Sequence, residues 1–286
     1  MFAICTLLML GKSYLPGIIT LAESIKMIRL DVDLLCMITP DIDEETKKSL
    51  SIHYKLFEVP YISVNSNEMN DYHLNYIYCH TFTKINMFNL NCNYKKILYL
   101  DADMLCLNKK IMNIFNYDTP AAIPVEMVMK TSKKYLNTNN LKIGGLINPK
   151  DTKYIESTIL LFEPSRELFD EMKNLLEEQI KNKKITYSSD TKLISEVLLS
   201  RGVHYIDGNF ICRYTYIEPI ILDIFGDFPK LWMIDQNLET EEYLYFNHYI
   251  YMNLFIHLYD KGIFKKYNMD HFDKMYLFYQ KFLNKS

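Results

Sequence analysis

Two carboxylates separated by one residue, Asp101-Ala102-Asp103, close an apolar run of β-forming residues, Ile97-Leu98-Tyr99-Leu100. Successive side chains of a strand point to opposite faces, so residues two apart share one, and this pair can converge at the strand's carboxyl end. Close carboxylates in a poorly solvated place stay ionised only beside a counter-charge, and a hard divalent cation supplies it economically. Two solvated loop aspartates are the bland alternative. The strand on one side and Met104-Leu105-Cys106-Leu107 on the other make solvation awkward, so metal binding is the reading taken for Asp101 and Asp103.

The elements that must position this pair follow from hydrophobic patterning. Phe2 to Leu10 reads as a buried strand that breaks at Gly11, and Ser13 as the cap of an amphipathic helix running to about Ile28. Asp33 to Thr39 is a second buried strand, Asp41 with Glu44 resembles a helix cap, and Phe57 to Val64 is a third strand interrupted by Pro60. Tyr76 to Leu90 is expected to be a helix leading into the aspartate strand. Downstream come a short helix at Ile111 to Phe115, a strand at Ala121 to Val125, a polar loop over Lys130 to Lys150 and a strand at Tyr154 to Phe162. Pro164-Ser165 opens a long amphipathic helix, Ser189 caps another from Asp190 to about Arg201, Asn253 to Leu258 reads as a last strand, and Asp270 to Leu283 as a final helix. Strands alternating with helices imply an α/β fold, a mixed and mainly parallel sheet flanked by helices. Ligands of such sheets bind beyond the carboxyl ends of the strands, where Asp101 and Asp103 are expected.

The chain of 286 residues is 49% apolar and 23% charged, with a net charge of −3. That balance offers no electrostatic case for nucleic acid or an anionic membrane surface as partner. Cysteines 5, 36, 79, 92, 106 and 212 form no CxxC pair and several sit in apolar runs. Buried free thiols in a reducing compartment, the cytoplasm, are the expectation. No run reaches the length of a membrane span, and the apolar amino terminus lacks a basic leader and a cleavage site. With no repeat or linker visible, one domain spanning 1–286 is expected.

Several stretches between Ala3 and about Lys265 resemble glycosyltransferase family 8, its glycogenin branch most of all. Thr6-Leu7, Tyr14 and Gly17 match the family's first strand and helix start; by resemblance they line a uridine pocket with Tyr14 against the base, or Tyr14 simply packs the helix start. Phe82-Thr83-Lys84-Ile85 matches a Thr-Lys-Leu-like triplet whose lysine meets a pyrophosphate. Asp101-Ala102-Asp103 matches the family's DxD, similar to a manganese site that also holds the nucleotide diphosphate. Glu156-Ser157-Thr158 stands where the family has an Asn-small-Gly segment; strand and Pro164 are kept, but a carboxylate offers no amide donor. Asp190-Thr191 matches an Asp-Gln at a helix start, with Asp190 either at the reacting sugar or merely an acid favoured by the helix dipole. The family's last metal ligand lies in HxxGxxKPW, and the match taken for it is His257, Gly262 and Lys265, with His248 as rival ligand.

The resemblance implies a single GT-A (Rossmann-like) domain, with a nucleotide-sugar-binding half over about 1–125 and an acceptor half over about 126–286, and a retaining hexosyltransferase. It would use Mn²⁺, or Mg²⁺, to carry a sugar from a UDP-sugar such as UDP-glucose or UDP-galactose to a carbohydrate or protein hydroxyl. Asp190 is the matched candidate for stabilising the anomeric centre, and Tyr214 or Tyr216 for self-glycosylation as in the glycogenin branch. A homodimer is left open. Two other readings stand: a degenerate transferase that binds nucleotide-sugar without turnover, and a haloacid-dehalogenase-like phosphatase. The latter usually carries its DxD near the chain start, with Thr or Val two positions after the second Asp, where this chain has Leu105.

Overall fold

A computed structural model describes residues 1–65, 76–125, 142–185, 189–212, 220–224, 230–232, 246–267 and 269–283. The expected self-glycosylation tyrosines, Tyr214 and Tyr216, and most of the expected polar loop lie outside the described residues.

The amino-terminal half alternates β1 (Phe2–Leu8), α1 (Leu15–Met27), β2 (Asp33–Ile38), α2 (Glu44–Leu50) and β3 (Lys55–Glu58). A 3₁₀ helix (Tyr76–Asn89) leads into β4 (Lys96–Leu100), followed by β5 (Met104–Cys106), a second 3₁₀ helix (Lys109–Asn116) and β6 (Ala121–Pro124). After these come β7 (Ile155–Phe162), α3 (Arg166–Lys181), α4 (Ser189–Arg201), β8 (His204–Tyr205), β9 (Ile211–Cys212) and β10 (Ile221–Asp223). The chain ends in α5 (Phe246–Asp260), a 3₁₀ helix (Ile263–Tyr267) and α6 (Asp270–Leu283).

Among the described residues the main sheet has seven strands in the order β3-β2-β1-β4-β7-β6-β8. From β3 to β4 all pairings are parallel, whereas β7 runs antiparallel to both β4 and β6. A three-stranded sheet, β5-β10-β9, stands beside it. The apolar run of β4 is explained by burial on both faces. Leu98 and Leu100 join Ile4, Leu8, Ile159 and Leu161 under α1, α5 and α6. Ile97 and Tyr99 join Ala3, Cys5, Leu160 and Phe162 under the Tyr76–Asn89 helix, α3 and α4. Among the described residues no helix is long and apolar enough to cross a membrane, and the five thiols at 5, 36, 79, 92 and 106 are free.

Three local expectations are corrected. Asp41 does not cap α2; Asp43 does, accepting from the Thr46 amide at 2.7 Å, while Asp41 accepts from the Gly11 amide, the Thr39 hydroxyl and the Tyr61 phenol. Tyr14, not Ser13, precedes the first helical residue of α1, and no side chain caps that helix. Asn253 to Leu258 is not a strand. It lies inside α5, whose run Tyr249–Leu258 is apolar nearly all round because the helix is packed under α1 and α6. A short apolar run has no period to separate strand from buried helix.

Candidate functional site

β4 ends at Leu100, and Asp101-Ala102-Asp103 forms the tight turn into β5, with the Met104 amide donating to the Asp101 carbonyl at 3.3 Å. The carboxylates therefore meet through a turn and not through strand alternation. Neighbouring strands fix both ends of the turn: the Asp101 amide donates to the Thr158 carbonyl of β7 at 3.1 Å, and the Ile224 amide to the Asp103 carbonyl at 2.9 Å. Gly17, in the first turn of α1, lets the helix approach closely. A Cβ there would stand 2.6 Å from the Ala102 carbonyl oxygen and 2.7 Å from the Trp232 ring. Trp232 in turn meets Tyr14 edge to face, with ring centroids 5.6 Å apart.

Lys84 is the hub of one side. The buried Tyr76–Asn89 helix carries it under the sheet, where its ammonium lies 3.0 Å from Asp101 Oδ1 and 3.5 Å from Asp190 Oδ2. The same ammonium donates to the Ser157 hydroxyl at 3.4 Å, and that hydroxyl lies 2.8 Å from the Thr191 hydroxyl. Five residues expected from the sequence, Lys84, Asp101, Ser157, Asp190 and Thr191, are thus brought together. Burial pushes the Asp101 carboxyl above its usual range; Lys84 pulls it down and the Asp103 charge pushes it up again. For Lys84, burial works against the charged form, but Asp101 and Asp190 outweigh it and raise the ammonium. Tyr14 is likewise raised, by burial and then by the charges of Asp103 and Asp101, which places its phenol within their field.

On the other side stands a residue that sequence reasoning missed. Lys230 Nζ lies 2.7 Å from Asp103 Oδ2, with only 9% of its side chain exposed, and donates to the Ile224 carbonyl at 3.3 Å. Burial would lower this ammonium, but Asp103, then Asp223 and Asp101, raise it. Asp223, the last residue of β10, is buried opposite Met104. Read back onto the sequence, Asp223, Gly226, Lys230 and Trp232 follow the order of the HxxGxxKPW motif. Aspartate takes the histidine's place, one extra residue precedes the lysine, and Leu231 replaces the proline. The chain's single tryptophan beside a lysine was the signal available; the lost histidine hid it. Helix α6 holds this segment, since the Tyr279 phenol donates to the Leu231 carbonyl at 2.9 Å and the His271 ring to the Trp232 carbonyl at 2.7 Å.

The match drawn from sequence at His257, Gly262 and Lys265 lies on α5 and just after it. His257 is exposed on α5, and Gly262 and Lys265 belong to the turn and 3₁₀ helix after it. Among the described residues no three of His, Cys, Asp and Glu converge as a metal-holding group, so neither His257 nor His248 joins Asp101 and Asp103. Of the remaining expected residues, Leu7 packs into the apolar layer beneath the sheet. Thr6, near the carboxyl end of β1, is buried, and its hydroxyl has no hydrogen-bond partner among the described residues. The departures at β7 are also in place: Glu156 is buried and accepts from the Thr158 hydroxyl at 3.1 Å.

With this geometry established, comparison with known proteins gives the class. The fold is that of solved glycosyltransferases. The galactosyltransferase LgtC in complex with donor and acceptor sugar analogues superposes with a TM-score of 0.57 and 14% identity over 88% of this chain and 94% of that one. The apo form of the glycosyltransferase GlyE of Streptococcus pneumoniae TIGR4 superposes with a TM-score of 0.56 and 12% identity over 89% of this chain and 60% of that one. In sequence, a model of glycosyl transferase family 8 matches residues 5–251, and the chain belongs to that family. It is 24% identical over 165 residues to inositol phosphorylceramide glucuronosyltransferase 1 of Arabidopsis thaliana, a match over 58% of this chain and only about a quarter, 25%, of that longer protein. Family membership removes the grounds for the phosphatase reading.

Proposed function

We propose that the chain transfers a hexosyl group from a UDP-sugar, UDP-glucose or UDP-galactose, to a carbohydrate or protein hydroxyl, with retention of anomeric configuration. The observation that carries this reading is the convergence of Lys84, Asp101 and Asp190 at the carboxyl end of β4, with Lys230 and Asp103 across the same turn. The two carboxylates of the turn are the oxygen donors a hard divalent cation takes, and among the described residues no third His, Cys, Asp or Glu converges with them, which leaves further positions to ligand oxygens. Asp101 and Asp103 would hold Mn²⁺ or Mg²⁺, which when bound supplies Lewis-acid stabilisation of negative charge on a departing diphosphate. The names of the relatives, a galactosyltransferase with bound donor and acceptor sugar analogues and a glucuronosyltransferase, agree with a sugar donor and a sugar-bearing acceptor.

In this reading the bond between the anomeric carbon and the diphosphate oxygen breaks and its electron pair leaves with UDP. The acceptor oxygen attacks from the same side and passes its proton to the departing phosphate. Lys84 and Lys230 sit on either side of the turn as cations for the growing charge. Asp190, held by Lys84 in the first turn of α4, faces the positive charge that develops on the sugar ring.

The test is UDP release from UDP-glucose, UDP-galactose and UDP-N-acetylglucosamine, with Mn²⁺ and with EDTA, on wild type and Asp190→Asn. Release with Mn²⁺, abolished by EDTA and reduced at least about a hundredfold in the variant, is expected if its carboxylate stabilises the charged transition state. Full turnover in the variant with unchanged donor affinity removes Asp190 from the mechanism. No release from any donor, with binding of UDP and Mn²⁺ intact, leaves a nucleotide-sugar binder whose altered Glu156, Thr158 and Thr191 no longer support transfer.

A further inference from the structure

Two consecutive residues after β1, Leu10 and Gly11, stand in the left-handed region, at φ 60° and 73°. Glycine adopts it freely, but a bulky side chain such as leucine rarely does, so the backbone at Leu10 is strained and must be held. The holding groups come from just beyond the two neighbouring parallel strands. The Gly11 amide donates to Asp41 Oδ2 at 2.7 Å, and the Leu10 amide to the Tyr61 phenol oxygen at 3.0 Å. The two acceptors brace each other: the Tyr61 hydroxyl donates to Asp41 Oδ1 at 2.6 Å, and the Thr39 hydroxyl donates to the same oxygen at 2.5 Å. Asp41 follows β2 and Tyr61 follows β3, so the clamp sits on the side of the sheet where ligands of parallel strands bind.

We infer that Asp41 and Tyr61 are positioning residues for a nucleoside diphosphate: they hold the loop between β1 and α1 in its strained form, and through it set Tyr14 and the first turn of α1 against the carboxylate turn. The inference rests on the transferase reading, which puts the diphosphate at that turn. Neither residue needs to touch the ligand. Only Lys12, Ser13 and Tyr14 separate Gly11 from the helix, and the Leu15 amide bonds to the Lys12 carbonyl at 3.0 Å, so the connection has little slack. Beyond it, Gly17 lies against the Ala102 carbonyl and the Trp232 ring, and Tyr14 meets that ring edge to face. Without the clamp Leu10 returns to negative φ and draws Tyr14 away from the turn. The competent loop is then a minor state, and the apparent nucleotide affinity falls by its fraction. A left-handed backbone disfavours a residue with a side chain by about tenfold, which sets the size of the loss.

The experiment compares wild type, Asp41→Ala, Leu10→Gly and the double variant, each as the full chain. Calorimetry with Mn²⁺ present gives the UDP dissociation constant, and UDP release from UDP-glucose and UDP-galactose gives kcat and KM. Asp41→Ala is expected to weaken UDP about tenfold and raise KM by a similar factor, with kcat within about twofold, because the bound state is unchanged once the loop is in place. On the Leu10→Gly background the same substitution should cost less than about threefold, since glycine takes the left-handed conformation unaided. A general loss of stability would show no such relief. If Asp41→Ala fails to fold by circular dichroism, Tyr61→Phe takes its place in both backgrounds, keeping the ring and removing the hydroxyl that receives the Leu10 amide. Unchanged UDP affinity in the folded variant, or a loss of equal size in both backgrounds, overturns the inference, even where UDP release from wild type upholds the transferase reading. A loss relieved by Leu10→Gly upholds the inference, even where no donor releases UDP and the transferase reading fails. Wild type that does not bind UDP overturns both.

Discussion

At the scale of single residues, close approach matters as much as charge. Gly17 permits α1 to press its first turn against the carboxylate turn and the Trp232 ring. Gly17→Ala pits two effects against each other. Alanine gains about 1 kcal/mol of helix propensity over glycine. Its methyl, however, would lie 2.6 Å from the Ala102 carbonyl oxygen, a backbone atom with no rotamer by which to yield. Overpacking of that kind costs about 1–3 kcal/mol. The clash sits on a backbone anchored by β7 and β10, so the upper figure applies. A net loss of about 2 kcal/mol is expected in urea unfolding, together with weakened UDP binding. Unchanged unfolding midpoint and unchanged UDP affinity would show that the turn has room to retreat.

At the scale of elements, a second buried polar cluster ties the amino-terminal and carboxyl-terminal segments together away from the site. Glu23 of α1 accepts from the His53 ring at 2.6 Å, from the Tyr267 phenol at 2.5 Å and from Lys266 at 2.5 Å. Burial disfavours the ionised Glu23, but the hydrogen bonds from His53, Lys266 and Tyr267 overcome it and hold its carboxyl down at about 2, from an ordinary value of 4.5. A carboxylate depressed on folding contributes stability that is present above its unfolded value and lost as pH falls through its folded one. The contribution is thus whole above pH 4.5 and fades toward pH 2, and it amounts to about 3 kcal/mol. The stability gap between wild type and Glu23→Gln should therefore narrow by about that much on acidification from neutrality to pH 2. Parallel acid-unfolding curves would mean that the cluster holds α1 no better ionised than neutral.

What the chain disclosed in advance also divides by element. β1, β2, β4, β7 and α6 were legible, because each has an apolar pattern that fits a single place in a layered sheet. The pairing of Asp101 with Asp103 was legible from spacing and apolar flanks, though as a strand end and not as a turn, and Lys84, Ser157 and Asp190 were legible through the family resemblance. The carboxyl-terminal part of the site was not. In α5, apolar residues nearly all round erase the helical period, so His257 was taken for a strand residue near the metal. Asp223 and Lys230 were hidden for another reason. They reach the turn through β10 and through the clamp from α6 on Leu231 and Trp232, contacts with partners 48 and 39 positions away in sequence.

At the scale of the whole molecule, the site lies where the parallel run of the sheet stops. β1 to β4 are parallel, β7 reverses direction, and the carboxylate turn leaves the sheet at that seam to join β5 and β10. A ligand bound there touches groups carried by α1, β4, β7, α4 and the Lys230 segment, so it should stabilise the fold and not one element alone. With Mn²⁺ and UDP present at about a hundred times their dissociation constant, mass action adds about 2.7 kcal/mol. For a chain of this length that corresponds to a rise in melting temperature of about 5 °C, cancelled by EDTA if the nucleotide depends on the cation. A rise that survives EDTA would separate nucleotide binding from divalent ions and remove the electrostatic basis of the transferase reading.

The packing of Trp232 has a spectroscopic consequence. It is the chain's one tryptophan, fully buried, its indole nitrogen without a hydrogen-bond partner among the described residues and its ring wedged between Tyr14, Gly17 and Tyr251. All indole emission from this protein thus originates in one corner, next to the residues that would receive the cation. A paramagnetic ion such as Mn²⁺ arriving there would darken that emission, whereas diamagnetic Mg²⁺ would not, so unlabelled protein carries its own optical gauge of loading.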